Sequence, residues 1–365
     1  MAKSNLTMTT DIVAQAREID FVTRFAKNWQ ALREIMGIMR PIRKQTGTVL
    51  RSYVSNCTLQ DGNVAEGEEI PYSKTSVQEV LHEDLTLQKY AKAVSIEAVN
   101  SYGAAIAIQR TDEAFLNELQ GKIMGDFYGF VQTGTTRDAK ATFQAAFAIA
   151  LGHARDEFKK MHRDSTRTVA FINTMDLYEY YGTANITVQN RAGITYIENF
   201  MGADTVIVSS DIPSGVVLAT PVDNVVLYYV DPADSDFKAL GLNYTVDGET
   251  NLIGFHANGN YSTAVGESFA LMGMRLWAEY LNGIAVVYIG TATTASSESV
   301  GTGDGSTKTF ELDHGNVIEV SSVTVGGTAT TAYTLDSAAG KITFETAPAN
   351  SAAIVATYKY AAAGA

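Results

Sequence analysis

Between Ala104 and Gln132 apolar side chains return every four residues, at Phe115, Leu119, Ile123, Phe127 and Val131, with Leu116 and Met124 widening the stripe. Gln109, Arg110, Glu113, Asn117, Gln120 and Asp126 fall mostly elsewhere, so the pattern predicts one amphipathic helix of about 40 Å. Gly121, Gly125 and Gly129 form a second row at the same spacing. Each costs about 1 kcal/mol of helix propensity relative to alanine. Two readings fit that cost: a neighbouring element crosses closely over the bare strip, or the helix bends or frays after Gly121.

Upstream, Ile12, Ala16, Ile19, Val22, Phe25, Ala26, Trp29, Leu32 and Met36 lie three or four residues apart and predict a helix over Asp11 to Met36, stopped by Pro41. A helix with such a stripe and no domain of its own must lie on something else, as an arm would. A β-branched run from Val49 to Cys57 follows, then the turn Asp61-Gly62-Asn63 and an acidic tip, Ala65 to Pro71. Alternation returns over Leu85 to Val99, so two strands flank a polar excursion and predict a projecting β-ribbon with too little apolar surface for a core.

Beyond the long helix, Gln132-Thr133-Gly134-Thr135 is a break, and Phe143, Phe147, Leu151, Ala154, Phe158 and Met161 predict a second helix over Ala139 to His162. Apolar runs at Thr168 to Ile172, Thr205 to Val208, Val216 to Ala219 and Val225 to Val230, with a helix at Thr174 to Tyr181, give an α/β or α+β module. From Ser268 the chain alternates through Ala270, Met272, Met274, Leu276 and Ala278, and Asn282-Gly283 predicts a two-residue hairpin turn into Ile284 to Ile289. Thr291 to Val300, small and polar, reads as a linker. After it come short strand candidates separated by Gly303-Asp304-Gly305, Gly326-Gly327 and Asp336 to Gly340, which predict a small all-β sandwich.

Charge alters this picture in one place. The net charge is −13, yet residues 1–51 hold nine Lys/Arg against four acids, leaving 18 basic and 36 acidic residues elsewhere. A basic end on an acidic body can touch phosphate on one face or dock on an acidic neighbouring subunit. No apolar run approaches the ~20 residues that cross a membrane, and the N-terminus lacks a signal pattern, so secretion by that route is not expected. The single cysteine, Cys57, excludes an intrachain disulfide framework and reads as a small buried or half-buried side chain.

Catalytic signals are thin. His82, His153, His162, His256 and His314 share no metal-binding spacing; Asp231, Asp234 and Asp236 lack the glycine and terminal glutamate of a calcium loop. Gly301 to Gly305 lacks both the lysine-serine ending and the following helix of a phosphate loop and reads as a tight turn. Glu66, Glu68 and Glu69 read as a solvated tip that meets a basic partner. No catalytic residue, metal or cofactor is called for.

The order of these elements, with the tip Glu-Gly-Glu-Glu-Ile-Pro and a long helix ending in Gln-Thr-Gly-Thr, resembles the major capsid proteins of tailed double-stranded DNA bacteriophages, the Hong Kong ninety-seven fold. The resemblance covers about Ala2 to Gly290. It implies an α+β protein with an N-terminal helical arm (1–46), an extended-loop β-ribbon (47–99), a peripheral domain with the spine helix (100–135 and 249–290) and an axial domain (136–248). The linker (291–300) and an added immunoglobulin-like β-sandwich (301–365) depart from the minimal family. The resemblance further implies a non-enzymatic subunit of hexamers and pentamers in an icosahedral virion shell assembled in the host cytoplasm. Its implied partners are copies of itself, a separate scaffolding protein, portal and decoration proteins, and packaged DNA held without sequence specificity; no membrane is involved. Glu66, Glu68, Glu69 and Lys74 are then intersubunit candidates, Lys74 also for the lysine–asparagine crosslink some members use, and Gly121, Gly125 and Gly129 a close-packing row. An encapsulin-like compartment and a tail or adhesin protein are the alternatives.

Overall fold

Arg17 and Phe21 sit one helical turn apart, and both find partners far along the chain. In the computed structural model, which describes residues 17–26, 42–45, 47–65, 67–161, 167–182, 188–191, 194–246, 248, 251–278 and 280–363, residues 17–26 form a helix. The rest of the predicted arm helix lies outside the described residues. Phe21, Val22 and Phe25 are at most 2% exposed, each burial contributing about 1.5–3 kcal/mol. Ile19, placed in the stripe by sequence, is half exposed, and Phe21 takes its place, stacked on Phe255 at 4.0 Å.

The chain separates into two compact units. The first comprises described residues of 1–27, 40–117 and 226–279. Its sheet is centred on the long strand Val265–Ala278, which carries Ile253–Asn260 antiparallel on one side. Gln88–Ser95 pairs antiparallel with the same residues 265–272 from the other side. Val225–Val230 also joins Val265–Ala278, and Ile42–Arg43 adds to it in parallel. Gly273 lets this packing close in, since a Cβ there would lie 3.0 Å from Leu87 and 3.1 Å from Val230 and push one of them outward. Ser95 then caps the helix Ile96–Tyr102 by accepting from the Ala98 amide, and Gly103, at φ 83°, ends it before the long helix Ala104–Val131 begins.

The ribbon belongs to this unit. Val49–Thr58 pairs with Lys74–Asp84 and, among the described residues, with no third strand. Its return strand is thus 74–84; residues 88–95, which the sequence reading gave to the ribbon, are in the five-stranded sheet. Alternation persists through both stretches, and only the turn at Leu85, buried and bonded through its amide to the Thr48 carbonyl, separates them.

The second unit comprises described residues of 118–225 and 280–365. Here the predicted stripe of the long helix is realised: Leu119, Ile123, Phe127 and Val131 are buried, and Phe127 meets Phe171 edge-on at 5.3 Å. Thr142 caps the helix Phe143–Lys160, which the sequence reading had begun four residues early, over the strand Thr136–Lys140. Ala146, Phe147, Ala150, Leu151 and Ala154 cover a mixed parallel and antiparallel sheet. Thr168–Asn173 lies in it between parallel Ala203–Ser209 and antiparallel Val216–Pro221.

The Asn282-Gly283 hairpin is not formed. Leu281–Gly283 is a 3-10 turn, and the following strand, Ala285–Thr302, pairs with Val216–Ala219 and Thr136–Lys140 rather than with Val265–Ala278. The buried Asn224 side chain fixes this exit by donating to the Tyr280 carbonyl and accepting from its amide, both at 2.9 Å. A Cβ at Gly283 would sit 2.5 Å from the Phe158 ring.

Residues 291–300 are not a linker. They continue the same 18-residue strand, which pairs from Gly290↔Ala363 to Thr302↔Ala353 with the last strand, Ala353–Ala363. Their side chains are largely exposed, so small polar residues suffice, and the backbone ladder supplies the order. Beyond lies the two-layer sandwich the sequence implied. Val317–Val325 and Thr328–Ala329 extend the sheet of Ala353–Ala363, and Thr309–Glu311, Lys341–Phe344 and Tyr333–Asp336 form the other sheet. Leu312, Val317, Val323, Ile342, Phe344, Ile354 and Tyr358 fill the space between. The domain boundaries expected at 248/249 and 290/291 accordingly move: 226–248 belong to the first unit and 280–290 to the second.

Candidate assembly surface

A two-stranded antiparallel ribbon satisfies one edge of each strand and leaves the other free, which makes it marginal in water without a further partner. At its end, Leu59 is 80% exposed, Ile70 68%, Tyr72 92% and, in the fourth residue pair of the strands, Val77 64%. These apolar side chains escaped the sequence reading because the acids between them dominate the segment. The available signal was four large apolar residues in an otherwise polar excursion.

Local bonds give the tip its shape. Asp61 accepts from the Asn63 amide at 3.0 Å, and Ser73 Oγ accepts from the Gln60 amide at 3.2 Å, drawing the two sides together. The Glu68 amide donates to the Ala65 carbonyl at 3.1 Å, while the Glu68 carboxylate accepts from the Ala65 amide at 3.4 Å, closing a turn in which Gly67 adopts φ 89°. Glu68 therefore helps to build the tip, whereas Glu69 and Lys74 are exposed. Glu66 lies outside the described residues. Cys57, expected to be at least half-buried, is exposed beside Thr75.

In the second unit, Gly121, Gly125 and Gly129 form an exposed row on the long helix. Among the described residues a Cβ built on any of them meets no atom within 4 Å, so no element of the chain crosses the strip closely. The helix also remains regular through Gly121, which removes the fraying alternative.

Among the described residues, three arginines of the basic N-terminal stretch, Arg17, Arg24 and Arg43, pair with carboxylates of the first unit. Arg17 binds Asp112 through two guanidinium nitrogens, one at 2.6 Å, and reaches Ser268 Oγ at 2.7 Å. Lys92 reaches Asp112 Oδ1 as well, at 2.5 Å, and donates to Thr111 Oγ1 at 2.8 Å. Burial pushes the Asp112 carboxyl up, but the bonds from Arg17 and Lys92 outweigh it and hold the group below the usual carboxylate range. Burial lowers Lys92, with Asp112 opposing. Arg24 pairs with Asp20 at 2.7 Å. Arg43 lies between Asp231 and Asp234, at 3.2 and 2.9 Å, so an arginine fills the loop that sequence weighed as a cation site.

Three of the histidines have partners within the fold. His153 faces Asp138 at 3.4 Å, His256 faces Glu18 at 3.4 Å, and His314 stacks on Tyr360; His162 is outside the described residues. Asp304 accepts from the Ser306 and Thr307 amides, which holds its carboxyl below the usual range and makes the glycine-rich segment a turn. A Cβ at Gly303 would meet the Ala349 carbonyl oxygen at 2.4 Å.

No protein-family model matches the chain, and no curated relative matches it. Solved structures do. The chain is similar in fold to capsid chains. One is in the capsid of the Cyanophage P-SCSP1u, with 10% identity over 70% of this chain and 87% of that one and a TM-score of 0.44. Another is in an empty GTA particle, with 9% identity over 71% and 89% and a TM-score of 0.45. A third likeness is to the SrpI encapsulin of Synechococcus elongatus PCC 7942, with 11% identity over 68% and 85% and a TM-score of 0.39.

Proposed function

We propose that the chain is a structural subunit that assembles with copies of itself, as hexamers and pentamers, into a closed phage head around double-stranded DNA. The observation that carries this reading is the ribbon: a long two-stranded element that has no third strand among the described residues and ends in exposed Leu59, Ile70 and Tyr72. Apolar area of that kind at the end of an arm is stable only when a second surface covers it, and in a self-assembling chain the second surface is another copy. Glu69 and Lys74 flank the patch and would set the register of that contact by charge.

Scaffolding, portal and decoration partners and virion localisation follow from the same reading. The pairing of Arg17, Arg24 and Arg43 with carboxylates leaves DNA contact to other basic residues.

Expression of the full chain followed by sedimentation and negative-stain microscopy tests the proposal. Closed particles with nuclease-protected DNA support it. Particles holding only protein cargo replace the phage head with a protein compartment, and stable monomers under all salt and scaffold conditions overturn it. A Leu59→Ser, Ile70→Ser, Tyr72→Ser variant should keep the monomer's melting temperature and lose assembly.

A further inference from the structure

Five positions in the chain place an asparagine or aspartate directly before glycine: Asp61, Asp247, Asn258, Asn282 and Asp304. Such pairs are chemically fragile when the glycine amide nitrogen can reach the side-chain carbonyl carbon of the preceding residue, because glycine has no side chain to obstruct the approach. Asp247 lies outside the described residues. In the other four the side chain has found a partner, and the identity of that partner separates them.

Asp61 is held by the Asn63 amide, one residue beyond its glycine, and Asp304 by the Ser306 and Thr307 amides. Asn282 is held from its nitrogen by Glu157 Oε2 at 3.0 Å, and the buried Gly283 donates its amide to the Tyr280 carbonyl at 3.1 Å. At Asn258 the side chain instead folds back on its own successor, and Oδ1 lies 2.9 Å from the Gly259 nitrogen. The bond that brings these two atoms together also brings the nitrogen close to Cγ. Both residues are exposed, they lie in the edge strand Ile253–Asn260, and a Cβ at Gly259 would meet nothing within 4 Å.

We infer that Asn258 is a site of spontaneous deamidation. The Gly259 nitrogen gives its proton to hydroxide and bonds to Asn258 Cγ; the Cγ–Nδ2 bond breaks and ammonia leaves, closing a succinimide. Water then opens the ring at either carbonyl, giving aspartate, or isoaspartate with one extra carbon in the backbone. Either product places a carboxylate across the ladder from Glu267, the register partner of Asn258, where an amide stood before. Like charges directly opposite destabilise a strand pair, and Asn260, whose Nδ2 reaches Glu267 at 2.8 Å, lies in the same stretch. The end of this hairpin, with fully exposed Tyr261 at its turn, would loosen as the protein ages.

Incubation of the full chain in oxygen-18 water at mildly alkaline pH, followed by peptide mapping, reads the label at each site. Conversion at Asn258 should run several-fold ahead of Asn282, rise with hydroxide concentration and be suppressed in Gly259→Val. Asn258→Asp should speed backbone hydrogen exchange over 258–267 without changing it in 340–363. Equal conversion at the two asparagines, slower conversion at Asn258 than in the urea-unfolded chain with no label above background, or an unaltered rate in Gly259→Val would overturn the assignment.

Discussion

Arg17 and Asp112 are 95 positions apart, and the guanidinium of one grips both carboxylate oxygens of the other. Because Lys92 and Ser268 join the same cluster, one carboxylate on the long helix ties the N-terminal helix and two strands of the first sheet into one arrangement. Removing it leaves two cations without their counter-charge: the Asp112 side chain is 5% exposed, that of Lys92 13% and that of Arg17 22%.

Asp112→Asn should therefore destabilise the first unit by about 3–5 kcal/mol, the cost of breaking a buried pair from one side. The wild-type contribution depends on pH with a definite sign. The folded carboxyl titrates below the unfolded one, so its stabilisation is complete above the unfolded range of about 4 and is lost as pH falls through the depressed folded value. Urea midpoints for the wild type and Asp112→Asn, compared from neutral to acid pH, should converge as the solution is acidified; parallel curves would contradict this account.

Asp112 also shows where sequence reading stops. The long helix was legible because Leu119, Ile123, Phe127 and Val131 recur with the helical period and the body of the helix is regular. Asp112 lies among polar neighbours two turns before Leu119, and only Arg17 and Lys92, distant in sequence, reveal that it is buried. The helix Thr174–Tyr181 and the strands Thr168–Asn173, Ala203–Ser209 and Val216–Pro221 were read to within two residues at each end, since their apolar runs are short and bounded by turn residues. Thr136–Lys140 and Gln189–Arg191, which are largely polar, and Ile194–Phe200, which mixes polar and apolar residues, were not read as strands. The ribbon's first strand was legible, but its return strand was not, as nothing local distinguishes 74–84 from 88–95. At the tip, Glu68 and Glu69 were conspicuous, whereas Leu59, Ile70 and Tyr72 became informative once their exposure was known.

The glycine row makes a prediction in two parts. Since nothing lies within 4 Å of a Cβ at Gly121, Gly125 or Gly129, alanine at each should stabilise the isolated chain by about 0.5–1 kcal/mol. A partner crossing closely in the assembled particle would meet those added methyl groups. The triple alanine variant should thus melt higher as a monomer and assemble less well. A higher melting temperature with normal assembly would mean that the row is not a contact.

Residues 291–299 should behave as strand, not as linker. Their ladder with 355–362 predicts amide protection comparable to that of the sandwich core and resistance to limited proteolysis. The irregularity at Ser297, with φ 53°, and Glu298 marks where exchange should be fastest, since the register shifts there. Proline at Thr293, opposite Tyr360, removes a donor within this ladder and should release protection on both strands together. Rapid exchange across the whole of 291–299 in the wild type would restore the linker.

A continuous strand also changes what truncation should do. The portion Ala285–Ile289 is held on both sides within the second unit, by Val216–Ala219 and Thr136–Lys140, and the Ile289 amide is bonded to the Gly215 carbonyl. The portion from Gly290 onward is held by Ala353–Ala363, so each half of the strand finds its ladder on its own side of residue 290. The sandwich has its own buried cluster around Val317, Ile342, Ile354 and Tyr358, and the cluster of the second sheet closes around Ala170, Val217, Ala285 and Val287 without it. A chain ending at Gly290 loses one sheet and one core but leaves the partners of Ala285–Ile289 in place. It should fold, retain the circular dichroism of the helices and, if the sandwich decorates the outer face, form shells of normal diameter without the protrusions seen by microscopy for the full chain. Failure to assemble by a truncated chain that is otherwise folded would make the sandwich part of the lattice, and missing density on the inner wall would place it inside.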